Sequence, residues 1–100
     1  MVMATEISVY PNPFDFYIVL EITCDENIDC IILLADVSEG KIVRMLGAGL
    51  KTGINRIPLD DLQLLPPGTY QINIKTAAGD PIYQTKVFKQ SPEHPAINLN

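Results

Sequence analysis

The sequence predicts an all-β domain, and three observations carry that prediction. Isoleucine, valine and threonine together supply a quarter of the 100 residues, and these β-branched side chains favour strands over helices. Apolar residues recur with a period of two over most of the chain. Eight prolines and six glycines are spread along it as turn signals, so we expect short strands separated by turns.

Composition limits both the size of the fold and its partners. One hundred residues with 47% hydrophobic side chains suffice for one domain with its own core. The formal net charge of −5 argues against nucleic acid as a partner, because an acidic surface repels phosphate. No run of about 18 apolar residues occurs, so no transmembrane segment is predicted. Residues 1–6 lack the basic and apolar regions of a secretory signal peptide.

The first half of the chain predicts three strands. Residues 7–9 alternate briefly and end before two prolines, which cannot donate to a ladder. Residues 16–24 alternate apolar and mixed positions, with Phe16 on the inner face. Residues 30–37 are nearly all apolar and are expected to form a central strand covered on both faces.

The second half predicts four more strands. Residues 41–46 form a strand that ends at the glycines of 47–53, which we interpret as a flexible connection. A short strand at 54–59 contains Pro58 and belongs near an edge. Residues 70–74 and 82–89 alternate around a turn. The leucines of 60–65 are expected in a helical turn or a loop against the core.

Seven short antiparallel strands in about 100 residues are typical of an immunoglobulin-like or fibronectin type III-like sandwich. A small barrel is the alternative. We place the sandwich at residues 7–90, after an N-terminal lead at 1–6 and before a flexible polar tail at 91–100.

Few residues offer catalytic chemistry. His94, the single histidine, lies in the predicted tail, where it cannot be held beside a nucleophile. Asp60 and Asp61 are adjacent on a predicted loop, so their carboxylates are expected to point apart. No P-loop, dinucleotide-binding or zinc-protease motif occurs. We therefore predict a protein that is not an enzyme and needs no cofactor.

An acidic segment offers one candidate for a metal site. Asp25, Asn27 and Asp29 have the alternate spacing of the oxygen ligands that begin a calcium loop. The glycine expected at the sixth position is replaced by Cys30, and the glutamate expected at the twelfth is absent. An acidic turn at a strand end is the alternative interpretation.

Cys24 and Cys30 flank the same acidic segment. If the strands on either side form a hairpin, the two sulfurs face each other and a disulfide would form in an oxidising compartment. Two free, partly buried thiols are the alternative, which we favour slightly. Two cysteines and one distant histidine do not supply a zinc site.

Four segments occur in an order and spacing that resemble a known family. They are VYPNPF at residues 9–14, GINRIPL at 53–59, LQLLPPGTY at 62–70 and KVFKQ at 86–90. Together they are similar to the C-terminal sorting domain of the type IX secretion system of Bacteroidetes, over about residues 7–90. The positions that match the family's motifs are Pro11, Pro13, Gly53, Asn55, Gly68, Tyr70, Lys86 and Lys89.

The resemblance implies a sandwich that acts by protein–protein recognition. Its partners would be proteins of the outer-membrane translocation machinery, and a sortase would usually remove the domain before the cargo joins a surface lipopolysaccharide. The domain would be secreted or displayed at the cell surface as part of a larger precursor. A reading frame that truly began at Met1 would instead leave the protein in the cytoplasm.

Physical chemistry suggests roles for the motif residues. Pro11 and Pro13 would hold their segment extended and block pairing at an edge. Gly68 would permit a tight corner where Tyr70 fills the core, as a tyrosine does in fibronectin type III domains. Lys86 and Lys89 are expected to be exposed on the last strand and to contact a partner, with protection of that edge as the alternative.

A stand-alone fibronectin-like adhesion or binding module is the rival function. Its expected mark is an exposed aromatic or apolar patch on one sheet, and Tyr10, Tyr17 and Tyr83 are the residues to examine. Exposed edge strands would also allow a homodimer.

Overall fold

The computed structural model describes residues 4–90 and contains seven antiparallel strands in two sheets. The strands are β1 (Ala4–Tyr10), β2 (Ile18–Cys24), β3 (Ile28–Asp36), β4 (Lys41–Leu50), β5 (Gly53–Leu59), β6 (Gly68–Thr76) and β7 (Pro81–Lys89). This architecture confirms the predicted immunoglobulin-like sandwich. Within residues 4–90, no helix is long and apolar enough to cross a membrane.

The two sheets divide the strands unequally. Sheet A has the order β1-β2-β5, and sheet B has the order β4-β3-β6-β7. Each sheet is open, with edge strands at β1 and β5 and at β4 and β7, so the barrel alternative is wrong. β1 begins at Ala4, inside the segment predicted as a lead, and the predicted tail at 91–100 lies outside the described residues.

The core lies between the sheets and is built from alternate residues. β2 and β6 bury every second side chain, because successive side chains of a strand point to opposite faces. The buried apolar residues are Phe14, Ile18, Leu20, Ile22, Cys24, Ile28, Cys30, Ile32, Leu34, Leu50, Leu59, Leu62, Tyr70, Ile72, Ile74 and Val87.

Three details differ from the sequence prediction. Phe16 precedes β2 and is 63% exposed, so it does not belong to the inner face. β3 is central, but only one of its faces is buried, and the outward residues Ile31 and Leu33 are partly exposed. β4 continues through Gly47 and Gly49, because both pair with β3; the register shift of this ladder lies elsewhere, between Leu34 and Ala35.

The antiparallel register brings the loops together in two groups. One group contains residues 11–17, 37–40, 60–67 and the last described residues after β7, and we call this the corner end. The other contains residues 25–27, 51–52 and 77–80, and we call this the far end. The leucine segment 60–65 forms a turn at the corner end, where Leu62 is buried and Leu64 is exposed.

The core assignment makes a testable prediction for Ile32. Replacing this buried side chain by alanine (Ile32→Ala) leaves a cavity and should lower the free energy of unfolding by about 2–5 kcal/mol. Urea denaturation measures the change. Ile54→Ala is the matched control, because Ile54 is 63% exposed and should cost less than about 0.5 kcal/mol. Equal losses for both variants would contradict the assignment.

Candidate recognition site at the corner end

The corner end holds three of the four motif segments. The register places VYPNPF, PPGTY and KVFKQ there, although they are far apart in the sequence. Only the Gly53 and Asn55 motif lies at the far end. The corner end is therefore the part of the domain that most of the motif segments build.

The segment that follows β1 crosses from sheet A to the outer edge of β7. The Phe14 amide donates to the Phe88 carbonyl oxygen at 2.8 Å, and the Gln90 amide donates to the Phe14 carbonyl oxygen at 3.1 Å. The Phe88 amide donates to Asn12 Oδ1 at 2.9 Å, and Gln90 Nε2 donates to Asp15 Oδ2 at 2.9 Å. The crossing segment thus satisfies edge groups of β7 that would otherwise be free to pair with another chain.

Pro11 and Pro13 mark the start of this crossing. β1 ends at Tyr10, directly before Pro11, and both prolines follow cis peptide bonds. Neither residue belongs to a strand. Phe14, one position later, forms an isolated parallel bridge to Lys89 and is completely buried.

Phe14 and Tyr70 close the core at the corner end. Their rings meet edge to face, with centroids 6.0 Å apart and an interplanar angle of 67°. The Tyr70 hydroxyl donates to the Pro66 carbonyl oxygen at 2.6 Å, which is the geometry of a tyrosine corner. Burial, with a smaller contribution from the charge of Asp36, raises the pKa of Tyr70.

Gly68 lets the chain turn into β6 directly before this tyrosine. Its φ of +148° is one that residues with a Cβ rarely adopt, although the space beside it is open. The β3–β4 turn lies next to it, and the Val37 amide donates to the Thr69 carbonyl oxygen. In that turn the Ser38 hydroxyl and amide donate to Asp36 Oδ1, and these hydrogen bonds lower the pKa of Asp36.

The two lysines of the last motif have different environments. Lys86 is exposed, as expected. Lys89 is only 1% exposed, so the expectation that it is an exposed contact is wrong. Lys89 follows Val87 on the inward face of β7 and pairs with Gly68, which has no side chain.

Gly53 and Asn55 have a structural role at the far end. Gly53 begins β5 with a φ of +102°. Asn55 Oδ1 accepts from the Lys51 amide at 2.9 Å, and Asn55 Nδ2 donates to the carbonyl oxygens of Lys51 and Ile22 at 2.9 and 3.1 Å. One carboxamide therefore ties the turn before β5 to the neighbouring strand β2.

The other sequence candidates are separate from the corner end. Asn27 Oδ1 accepts hydrogen bonds from the Thr52 amide and hydroxyl, which occupies one oxygen of the proposed calcium trio. Residues 4–90 contain no group of three or more histidine, cysteine or acidic side chains that could hold a metal ion. Binding of calcium through Asp25, Asn27 and Asp29 stays a prediction. His94 lies outside the described residues.

Cys24 and Cys30 are free thiols in the structure, and both are buried. Cys24 ends β2 in sheet A and Cys30 lies on β3 in sheet B. Burial, followed by the charge of Asp25, raises the pKa of Cys24. Burial, followed by the charges of Cys24 and Asp29, raises the pKa of Cys30. Raised thiol pKa values keep the reactive thiolate scarce near neutral pH.

Exposed apolar side chains concentrate at the corner end. Nine large hydrophobic residues are exposed among residues 4–90. Four of them, Phe16, Tyr17, Val37 and Leu64, lie in the loops of the corner end, and Tyr10 and Phe88 lie at the ends of β1 and β7 that adjoin it. The sequence had indicated Tyr10 and Tyr17, but Tyr83 packs against the core. Sequence reasoning missed both phenylalanines. Phe16 lies outside a strand, where period-two alternation assigns no face, and Phe88 lies in a strand whose register the sequence alone does not give.

Comparison with known proteins agrees with this geometry. Residues 8–90 match the profile of the family described as "Secretion system C-terminal sorting domain". No curated protein matches the sequence significantly. Among solved structures, the Bifidobacterium adolescentis GH3 beta-glucosidase has a similar fold, with a TM-score of 0.56 and 13% identity. The match covers 100% of this chain but only 18% of the glucosidase chain, and at this identity it shows the fold alone.

The sandwich and the family match over residues 8–90 together identify a sorting domain. Because the family match covers more than half of the chain, the protein belongs to the C-terminal sorting domain family of the type IX secretion system. Domains of this family belong to precursors that the type IX system secretes.

The tyrosine corner makes a testable prediction. Tyr70→Phe removes the hydroxyl that donates to Pro66, and should lower the free energy of unfolding by about 0.5–1.5 kcal/mol. Thermal and urea denaturation measure it. Tyr83→Phe is the control, since no hydrogen bond of its hydroxyl is found within residues 4–90, and it should change stability by less than about 0.5 kcal/mol.

The buried thiols make a prediction about pH. The folded state favours the neutral thiols, because their pKa values are raised above the unfolded value of roughly 8.5. This contribution is fully present below the unfolded pKa and is lost as pH rises toward the folded pKa. Stability should therefore fall above about pH 8.5, and Cys24→Ala with Cys30→Ala should weaken that fall. An identical pH dependence in the double variant would contradict it.

Proposed function

We propose that this domain is a sorting tag that the outer-membrane translocation machinery recognises by direct protein contact, without catalysis. Membership of the sorting family is the observation that supports this proposal most strongly. The cluster of exposed aromatic side chains supports placing the contact at the corner end, because aromatic residues are enriched where proteins bind each other.

The corner end has the properties that recognition requires. Its shape is fixed by the crossing segment and the tyrosine corner, so exposed side chains such as Phe16 and Phe88 are presented on a rigid surface. The buried residues of the same motifs, Phe14 and Lys89, shape this surface from within. A partner would thus bind the surface that the buried motif residues shape, and would not contact each motif residue itself.

An export assay tests the proposal. The full chain is fused behind a periplasmic reporter in a type IX-competent Bacteroidetes strain, and the reporter is measured in the periplasm and at the cell surface or in the medium. We expect export in this strain and retention in a strain without the translocon. Retention in the competent strain, or equal export from both strains, would contradict the proposal.

Surface variants test the position of the contact. Phe16→Ser with Phe88→Ser removes two exposed apolar side chains of the corner end and should lower export at least about tenfold, as loss of two interface anchors does. Ile54→Ser is the control, because Ile54 is as exposed as Phe16 but lies on β5 near the far end. It should leave export unchanged. Melting temperatures establish first that all variants fold.

A fibronectin-like adhesion or binding module is the second candidate function. The exposed Tyr10 and Tyr17 favour it, since exposed aromatic rings are suited to binding sugars or proteins. A glycan array distinguishes the two functions: a specific ligand in the absence of type IX-dependent export would support the binding module.

A further inference from the structure

The outer face of sheet B carries an unusual arrangement of side chains. Apart from the exposed Asp29 at the far end, the outward positions of β3 and β4 are apolar and include Leu33, Ile42 and Met45, of which Ile42 and Met45 are 53% and 62% exposed. Gly47, also outward on β4, adds no side chain that would cover its neighbour Ile31. Half of this sheet face is therefore an accessible apolar surface.

The other half of the same face is basic and rich in amides. Gln71 and Asn73 on β6 lie beside Lys86 and Gln84 on β7, as direct cross-strand pairs. Lys75 continues the same outward row on β6. The outward positions of β6 and β7 carry no acid, although the whole protein has a net charge of −5.

These polar groups have no partner in the described part of the chain. Within residues 4–90, ion pairs are found for Lys41 and Arg56 but not for Lys75 or Lys86. No side-chain hydrogen bond within the same residues involves Gln71, Asn73 or Gln84. Gln71 and Asn73 are partly buried and their side-chain amides have no protein partner within these residues, so both amides are available to hydrogen-bond a ligand.

Two neighbouring depressions are lined by these residues, and we call the two together the groove. One depression, lined by Ala35, Ile42, Gln71, Asn73 and Lys86 among others, opens at the β3–β4 turn of the corner end, where Asp36 also lines it. A second depression is lined by Asn73, Lys75 and Gln84 among others and extends toward the far end. The two share Asn73, so the groove follows β6 with Lys86 near one end and Lys75 near the other.

We propose that this groove binds an extended, amphipathic acidic segment of a protein partner. Lys86 pairs with Gln71, which lies four positions before Lys75 on β6, so the two lysines are about 13 Å apart along the strand direction. An extended peptide has the same rise, so carboxylates four positions apart reach both lysines. Alternate apolar side chains of that peptide then face Leu33, Ile42 and Met45.

The charge pattern favours an acidic peptide over other occupants. A second copy of this chain is disfavoured because a contact between the β6–β7 halves of two copies would bring four lysines together without an acid of those strands. A simple polyanion would leave the apolar half of the face uncovered. This inference adds a binding surface to the proposed sorting function. It rests on that function only where it assigns the acidic segment to a protein of the translocation machinery.

A peptide titration tests the proposal. The probe is Thr-Thr-Glu-Val-Thr-Val-Glu-Thr-Thr, added to the full isotope-labelled chain and followed by NMR chemical shifts. We expect shifts confined to β3, β4, β6 and β7, and weaker binding as salt rises from about 50 mM to about 500 mM. Two control peptides carry glutamine for glutamate, or serine for valine, and both should bind at least about fivefold more weakly.

Variants of the protein complete the test. Lys86→Glu and Lys75→Glu should each weaken peptide binding about tenfold, because each replaces an attraction by a repulsion. Lys51→Glu is the matched control, since Lys51 is exposed at the far end and its reversal changes the net charge equally. It should leave affinity within about twofold. Met45→Ser should weaken binding without any change of charge.

The outcomes separate this inference from the proposed function. Shifts elsewhere on the domain, equal binding of the glutamine peptide, or equal effects of Lys86→Glu and Lys51→Glu would each overturn it. The proposal would also be overturned if dextran sulfate bound the same face and the serine-for-valine peptide bound as well as the probe, because the face would then bind polyanions in general. The export of the unmodified reporter fusion decides the sorting function independently, so either can fail alone.

Discussion

Every strand of this sandwich has to bury alternate side chains against the opposite sheet, and the rest of the structure depends on that constraint. The three-stranded sheet contributes Ile18, Leu20 and Ile22, and the four-stranded sheet contributes Ile72 and Ile74 among others. A shift of one residue in any register would turn these side chains outward. The pairings therefore determine the core and, by the same alternation, which residues remain on the surface.

Two open sheets leave four edge strands with unpaired backbone groups, and a motif segment of the family covers one of these edges. The segment after Tyr10 leaves sheet A and forms backbone hydrogen bonds with β7 of sheet B. Its Phe14 side chain enters the core beside Tyr70. The conspicuous prolines thus belong to a connection that joins the two sheets and closes an edge.

Surfaces suited to recognition lie where side chains do not have to pack into the core between the sheets. The aromatic side chains of the corner end belong to loops and strand ends, and the groove on sheet B belongs to the outward face of its strands. The two regions meet at the β3–β4 turn, which borders both. A partner that bound the rigid corner end could therefore extend along β6 without disturbing any buried residue.

The sequence by itself determined the number of strands, most turns and the family, because alternation and turn residues are local signals. Tertiary structure decided the surface. Phe16 was expected inside and is outside, because it precedes β2 and follows no strand alternation. Lys89 was expected outside and is inside, because it ends β7, where the pairing with Gly68 sets the direction of its side chain. The hydrogen bond between Phe88 and Asn12 joins residues 76 positions apart. Local patterns do not encode such a contact, because it exists only once the two sheets are packed.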